Sequence, residues 1–522
     1  MRRFFKYLAL LIAAGALFVA VAIILPLPSS PLPTSTATHY ALTNVNVVDT
    51  IAGGVATDQT VVIENGKIVS ILPAAEKIEN TADGSNPVVI DAAGKYLIPG
   101  LWDMHTHSLK ISPQLHHPLF IRYGVTAARD MSGCLNNDDA YWACPADRQR
   151  WQAEAIQGER VAPRYPLQSS YQTNGGSEVP AGYPEFFKVA DLDAAKQLAE
   201  FYAGQDVDFI KTYTELTAAQ FEHLAVAAAA EGLAIAGHRP LSVSLREAMT
   251  ANMQSIEHGR LFVFECYAGA ETFRQAEDPI GLYNASFMRQ LINEQDEATC
   301  QQLMIEMASS NTRWVPTLTT LKMSAMARDD SFRNDPRVAQ IPWIARKLIW
   351  EQDINRAATR GNDDSGKFVH GDFLATAQQQ VAQAHSAGVT ILAGTDNIDT
   401  YVYTGSSLHD ELAMFVTAGL TPLQALQTAT IDAARFANLE ADFGSIAVGK
   451  QADLVLLNAN PLQDIQHTRD IAAVMFAGRW YAKADLQALE DFAEAAAASV
   501  RVNLRYLYDM FASPLMRAQL VD

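Results

Sequence analysis

The chain has 522 residues, 49% hydrophobic and 19% charged, a composition that excludes a disordered or fibrous protein and implies a substantial core. Against 39 basic side chains stand 58 acidic ones, a net charge of −19, and no Lys/Arg cluster lies beyond the N-terminus, which argues against nucleic acid as a partner. The length accommodates one large domain or two to three ordinary ones.

In chain order, Arg2, Arg3 and Lys6 precede an uncharged run from Tyr7 to Leu25. Its length falls within the roughly 17–25 residues that cross a bilayer as a helix, which favours an uncleaved anchor. A cleaved signal peptide, with Ala20-Val21-Ala22 as its exit motif, is the alternative. On either reading the basic residues stay inside, and the rest is exported to the periplasmic or extracellular face. Pro26 and the Pro/Ser/Thr stretch to Thr38 read as a linker, so residues 1–38 stand apart from the fold.

Residues 39–100 alternate in the β manner, with Asn65-Gly66 as a hairpin turn signal. Residues 445–485 read as strands again, and both segments are too short to fold alone. They are expected to pair into one small β-sandwich flanking the main domain. Residues 101–444 form that domain. The apolar segment Tyr96–Trp102 runs into Asp103-Met104-His105-Thr106-His107. On a strand, residues i and i+2 share a face, so His105 and His107 project together as half of a metal site. Asp208–Tyr213 carries Lys211, Leu233–His238 ends in His238, Ser255–His258 ends in His258, and Val389–Asp396 ends in Asp396. A β/α barrel keeps its active site at the C-terminal ends of its strands, so these pieces can converge.

Gly124, Gly232 and Gly388 sit between helical stretches and strands, where glycine caps a helix in the αL conformation. Leu216–Glu231 and Phe373–Ala387 are read as helices, and Thr421-Pro422 opens another that continues to Ala437. Long stretches at about 260–312 and 323–372 interrupt the barrel, at its mouth or on its side. Residues 486–522 form an appended helical tail for packing or oligomerisation, which leaves a homo-oligomer open.

Tyr96–His107, together with Gly444-Ser445-Ile446-Ala447-Val448-Gly449-Lys450-Gln451-Ala452-Asp453-Leu454-Val455, resembles the metal-dependent amidohydrolase superfamily over about residues 39–485. The Ile210-Lys211-x-Tyr213 strand resembles its imidazolonepropionase-like and Xaa-Pro or Xaa-Arg dipeptidase branch. The resemblance implies an α/β protein, a (β/α)8 TIM barrel with a small flanking β-sandwich, and two Zn²⁺ ions per chain. It implies that His105, His107 and Asp396 hold one ion, and that His238 and His258 hold the other. Lys211, carboxylated by CO₂, bridges them; the alternative for Lys211 is an unmodified structural cation. It further implies that a metal-bridged hydroxide attacks the amide, with Asp396 passing the water's proton to the leaving nitrogen. The substrate class is a small-molecule amide, such as a dipeptide or N-acyl amino acid. The competing readings are a cyclic-amide hydrolase, a mononuclear deaminase-type enzyme and a non-catalytic scaffold.

Tyr213 shares the inward face with Lys211, and is either a substrate-carboxylate ligand or a packed loop residue. Asn174-Gly175-Gly176 either offers backbone amides to substrate or turns the chain. His116 and His117 are read as a solvated loop, His409 as a helix cap, and the remaining histidines match no ligand position. Cys134 with Cys144 and Cys266 with Cys300 are either two disulfides of an exported protein or four thiols.

Overall fold

The computed structural model describes residues 4, 5, 7, 23–73, 86–136 and 138–519. Most of the expected membrane anchor, residues 8–22, lies outside the described residues. Among the described residues no helix is long and apolar enough to cross a membrane.

Five strands open the fold: β1 (His39–Val48), β2 (Val55–Glu64), β3 (Lys67–Pro73), β4 (Val88–Asp91) and β5 (Tyr96–Pro99). β1 pairs antiparallel with β2 and parallel with β4 and β5, while β2 and β3 form a hairpin. Asn65 and Gly66 turn that hairpin with φ of 49° and 78°, the left-handed pair that matches strand twist in a two-residue loop.

The barrel follows with β6 (Leu101–Thr106), β7 (Val125–Asp130), β8 (Phe209–Thr212), β9 (Ala234–Gly237), β10 (Ser255–Glu257) and β11 (Arg313–Val315). β6 runs parallel to β7, and β8 to β11 form a parallel sheet in sequence order. Two extended segments close the ring. Residues 164–169 bridge to β7 at Ala127 and Asp130, and Ser169 and Thr173 bridge to β8. Ile391 bridges to Trp314 of β11, and Asn397 to Thr106 of β6. The eighth stave, expected as the strand Val389–Asp396, is thus a bridged segment without a regular ladder. Its backbone crosses β6 closely: a Cβ on Gly394 would stand 2.9 Å from His105 Cβ and 2.5 Å from Val315 Cγ1, so only glycine fits.

Helices coat the ring, among them Ala218–Ala230, His370–Ser386 and Ser406–Ala418. Gly124, Gly232 and Gly388 precede their strands with φ of 72°, 73° and 97°. The helix expected from Thr421 to Ala437 is broken: Pro422–Thr428 stops and Ile431–Phe436 resumes. The Ala429 carbonyl accepts from the Trp102 N–H at 2.8 Å, and Thr430 leaves helical geometry to allow it. The two inserted stretches are themselves helical, and disulfides join Cys134 to Cys144 and Cys266 to Cys300.

β12 (Leu454–Leu457), β13 (Ile471–Phe476) and β14 (Arg479–Ala482) return to the first sheet, β12 pairing with β5. The resulting eight-stranded sheet curls where Lys67 bridges to Gln451, around a core that includes Tyr40, Ile63, Leu97, Leu454 and Met475. The tail is three helices, Lys483–Ala498, Val500–Ala512 and Pro514–Gln519. It reaches the loop after β7: the Tyr506 and Tyr141 hydroxyls lie 2.8 Å apart, and the Ser513 hydroxyl donates to Asp139 at 2.8 Å.

Candidate metal centre and active site

His105, at the end of β6, and His107, just beyond it, both reach Asp396. His107 Nε2 lies 2.8 Å and His105 Nε2 3.2 Å from Asp396 Oδ1. The stave carrying Asp396 is pinned to β6 by its own backbone, the Asp396 N–H donating to the His105 carbonyl at 2.8 Å. Asp103 ties the two segments again, accepting from the Thr395 hydroxyl at 2.6 Å and from the Thr395 N–H at 3.0 Å. Opposite, His238 after β9 and His258 after β10 turn toward each other, Nε2 to Nε2 at 2.8 Å. Their Nδ1 atoms each lie 2.8 Å from a threonine hydroxyl, Thr214 for His238 and Thr317 for His258. Lys211, in β8, is 2% exposed, and its Nζ makes no hydrogen bond or ion pair among the described residues.

The donors fit a bound cation. His105 Nδ1 lies 2.9 Å from the Glu257 carboxylate, which only accepts, so Nδ1 carries the proton. Nε2 is buried and lies 3.2 Å from the Asp396 carboxylate oxygen, a place for a second proton or for a cation. With Nδ1 of His238 and His258 beside the threonine hydroxyls, their Nε2 atoms face each other at 2.8 Å. A shared proton or a cation between the facing atoms satisfies each arrangement. His105, His107 and Asp396 present their ligand atoms within 4.8 Å of one another.

Charge follows the same logic. Burial works against the Asp396 carboxylate, yet the flanking histidines hold it well below the usual range. Burial lowers His107 to about 4, helped by the Lys211 charge. Burial also pulls Lys211 down to about 8, against the opposing pull of Asp396 and Glu257. Three residues of the site sit in the left-handed region where side chains are disfavoured: His258 at φ 77°, Asp396 at 65° and Thr317 at 43°. Such strain persists only where surrounding bonds impose it. For Thr317, Glu411 supplies them, accepting from the Leu318 and Thr319 N–H groups at 2.8 and 2.9 Å.

Several contributors escaped sequence reasoning. Glu257 orients His105 and is itself held by Arg129 at 3.1 Å, both buried. A charged residue in each of two apolar strands was the available signal, since buried charges pair. Thr214 and Thr317 had no signal. Arg260 lines the cavity over the site, and its side chain makes no ion pair or hydrogen bond among the described residues. Tyr213 stacks on His238, ring centroids 4.0 Å apart, and also lines that cavity, whose volume is about 1110 Å³. The inserted stretches wall the cavity through Tyr283, Met288, Met323 and Ile349.

Other expectations are corrected. The Asn174 and Gly176 amides are not free for substrate; they donate to the Glu178 carboxylate at 2.7 and 2.8 Å. His116 and His117 are buried, bonded to Ser112 and Tyr165. His409 is no cap: it is buried in the first turn of the helix Ser406–Ala418, with Nε2 3.0 Å from the Tyr123 carbonyl and Nδ1 2.9 Å from the Thr468 hydroxyl.

Solved structures share this architecture. A Xaa-Pro dipeptidase with bound methionine in its active site is 19% identical, with 85% of this chain and 100% of that chain covered and a TM-score of 0.59. A putative prolidase from Bifidobacterium longum is 21% identical over 89% and 100% of the two chains, TM-score 0.58. Bottromycin amidohydrolase is 21% identical over 90% and 92%, TM-score 0.65. At these identities the likeness is one of fold, a TIM barrel. No curated protein sequence matches the chain. Residues 212–481, more than half of the sequence, match the amidohydrolase family; the match begins just past Lys211, so the fold, not the match, joins His105 and His107 to the later ligand positions. The chain belongs to the amidohydrolase family, hydrolases that act on carbon–nitrogen bonds.

Proposed function

We propose that the protein is an exported hydrolase of a small carboxylate-bearing amide, a dipeptide or N-acyl amino acid, that works with two divalent ions, most simply zinc. The observation that carries this reading is the meeting of two donor sets, His105/His107/Asp396 and His238/His258, beside a buried Lys211 whose Nζ makes no hydrogen bond or ion pair among the described residues. The first set would hold one ion and the second the other, with Lys211 as a bridging carbamate. The carbamate forms when the neutral amine adds to CO₂ and releases a proton, and the burial that lowers Lys211 to about 8 supplies that neutral form near neutral pH. Bound there, the ions supply Lewis acidity toward a carbonyl and acidify water.

The rest falls to the chain. Asp396, kept ionised by its histidines, is the base that accepts the attacking water's proton and returns it to the leaving nitrogen. Tyr213 is pushed up to about 12 by burial, so its hydroxyl stays protonated as a donor for the substrate carboxylate. Arg260, whose side chain makes no ion pair or hydrogen bond among the described residues, supplies a cation to the same carboxylate. The helical walls border a cavity of about 1110 Å³, ample room for a small amide.

Metal analysis after purification with bicarbonate tests the centre: two ions per chain are expected, and fewer in Lys211→Ala. One ion regardless of bicarbonate, or two retained in Lys211→Ala, overturns the binuclear reading and favours a mononuclear enzyme. Turnover of cyclic amides but no peptide-like amide in a substrate screen overturns the substrate class.

A further inference from the structure

We propose that the outer face of the helix Val500–Ala512, together with Trp343 and Leu348, is a docking surface for a lipid bilayer. This helix has two apolar faces. Val502, Tyr506 and Met510 pack inward, with Leu115 and Ile344. Val500, Leu504, Tyr508 and Phe511 recur at the spacing of a second helical stripe, of which Val500, Tyr508 and Phe511 are exposed, while Leu507 packs with the inward set. Trp343 and Leu348 belong to the adjoining helical run, which is fastened to this helix where the Ile344 N–H donates to Asn503 Oδ1 at 3.0 Å. Trp343, Leu348, Val500, Tyr508 and Phe511 are between 41% and 55% exposed, a grouping that water alone does not favour.

The chain itself indicates what covers this face. Arg501 donates to the Leu25 and Pro26 carbonyls, both at 2.7 Å, and Arg505 to the Ile23 carbonyl at 2.7 Å. Two guanidinium groups of the apolar helix thus grip the last turn of the uncharged run Tyr7–Leu25, where Ile24 and Leu25 are exposed. A run of bilayer-spanning length that ends on this helix brings the helix to the bilayer. The composition suits an interface: Trp and Tyr prefer the headgroup level, and Arg346, Lys347, Arg501 and Arg505 are basic residues on these helices in a chain of net charge −19. Ile349, next to Leu348 on the same run, lines the catalytic cavity, as does Met516 on the following helix Pro514–Gln519.

The test uses the full-length protein in phosphatidylcholine–phosphatidylglycerol vesicles, with and without lipids brominated near the carboxyl end of one acyl chain. The emission of Trp343 is taken as the difference between wild type and Trp343→Phe. Bromination is expected to quench that difference by roughly twofold or more, as an indole seated at the headgroup–acyl boundary requires. The variant Val500→Glu/Tyr508→Glu/Phe511→Glu is expected to abolish the quenching while the chain stays with the vesicles through its N-terminal run. An unquenched Trp343 in wild type overturns the proposal, as does recovery of the full chain unbound to vesicles. So does cross-linking of two chains through Phe511→Cys without quenching, which would make the face a contact between copies.

Discussion

Asp396 carries the most consequences per atom. It closes the barrel through its N–H, touches two histidines through Oδ1 and holds a left-handed backbone. Asp396→Asn keeps size and shape but cannot take a proton, so turnover should fall about 10²–10⁴-fold while the circular dichroism stays native. Near-normal kcat with full metal content would show that another base does the chemistry. Arg260 and Tyr213 make a separate claim. Arg260→Met and Tyr213→Phe should each raise KM for carboxylate-bearing substrates, by roughly ten- to a hundredfold for a lost charge-assisted hydrogen bond of about 1.5–3 kcal/mol. Carboxamide analogues should be much less affected, and equal effects on both substrate forms would remove these residues from a carboxylate site. His105, His107, Lys211, His238, His258 and Asp396 were legible as candidates because each ends an apolar strand. Glu257, Thr214 and Thr317 were not, because a residue that orients a ligand leaves no spacing pattern of its own.

Among the elements, the helix Ser406–Ala418 departs most from its sequence reading. His409 looked like an exposed cap at its start, yet the helix begins at Ser406 and packs this residue against Tyr123 and Thr468. Burial lowers His409 to about 3, with the Arg469 charge acting the same way. Its folded-state value lies below the ordinary 6.5, so the stability tied to its neutral form is fully present above pH 6.5 and is lost as pH falls toward 3. At a slope of at most about 1.4 kcal/mol per pH unit, this one group costs on the order of 2 kcal/mol between pH 6.5 and 5. His409→Gln should therefore lower Tm at pH 7.5 but show a smaller further drop at pH 5 than wild type does. An equal drop in both proteins would place the acid sensitivity elsewhere. The break at Ala429 and Thr430 has a related cause: local propensity favours one helix to Ala437, but β6 needs a carbonyl for the Trp102 N–H.

For the whole molecule, export remains a proposal, motivated by the Tyr7–Leu25 run and by two disulfides whose partners lie on the barrel and its insertions. Fractionation should place the chain in the membrane with its bulk open to external protease. Recovery of a soluble form lacking residues 1–30 would support cleavage instead. The sequence by itself pointed to the fold class through its resemblance to the amidohydrolase superfamily at Tyr96–His107 and Gly444–Val455, local motifs that survive without contacts, and through the ligand-type residue ending each of several apolar segments. It also determined the hairpin at Asn65-Gly66 and the glycines before the strands, where a positive φ admits few residue types. Only the tertiary structure decided which histidines face Asp396, that Glu178 takes the Asn174 and Gly176 amides, and that the insertions and the C-terminal helices wall the cavity. These depend on approach between segments hundreds of residues apart. Such approaches are set by packing and by the obligation of each buried polar group to find a partner, and neither leaves a periodic trace along the chain.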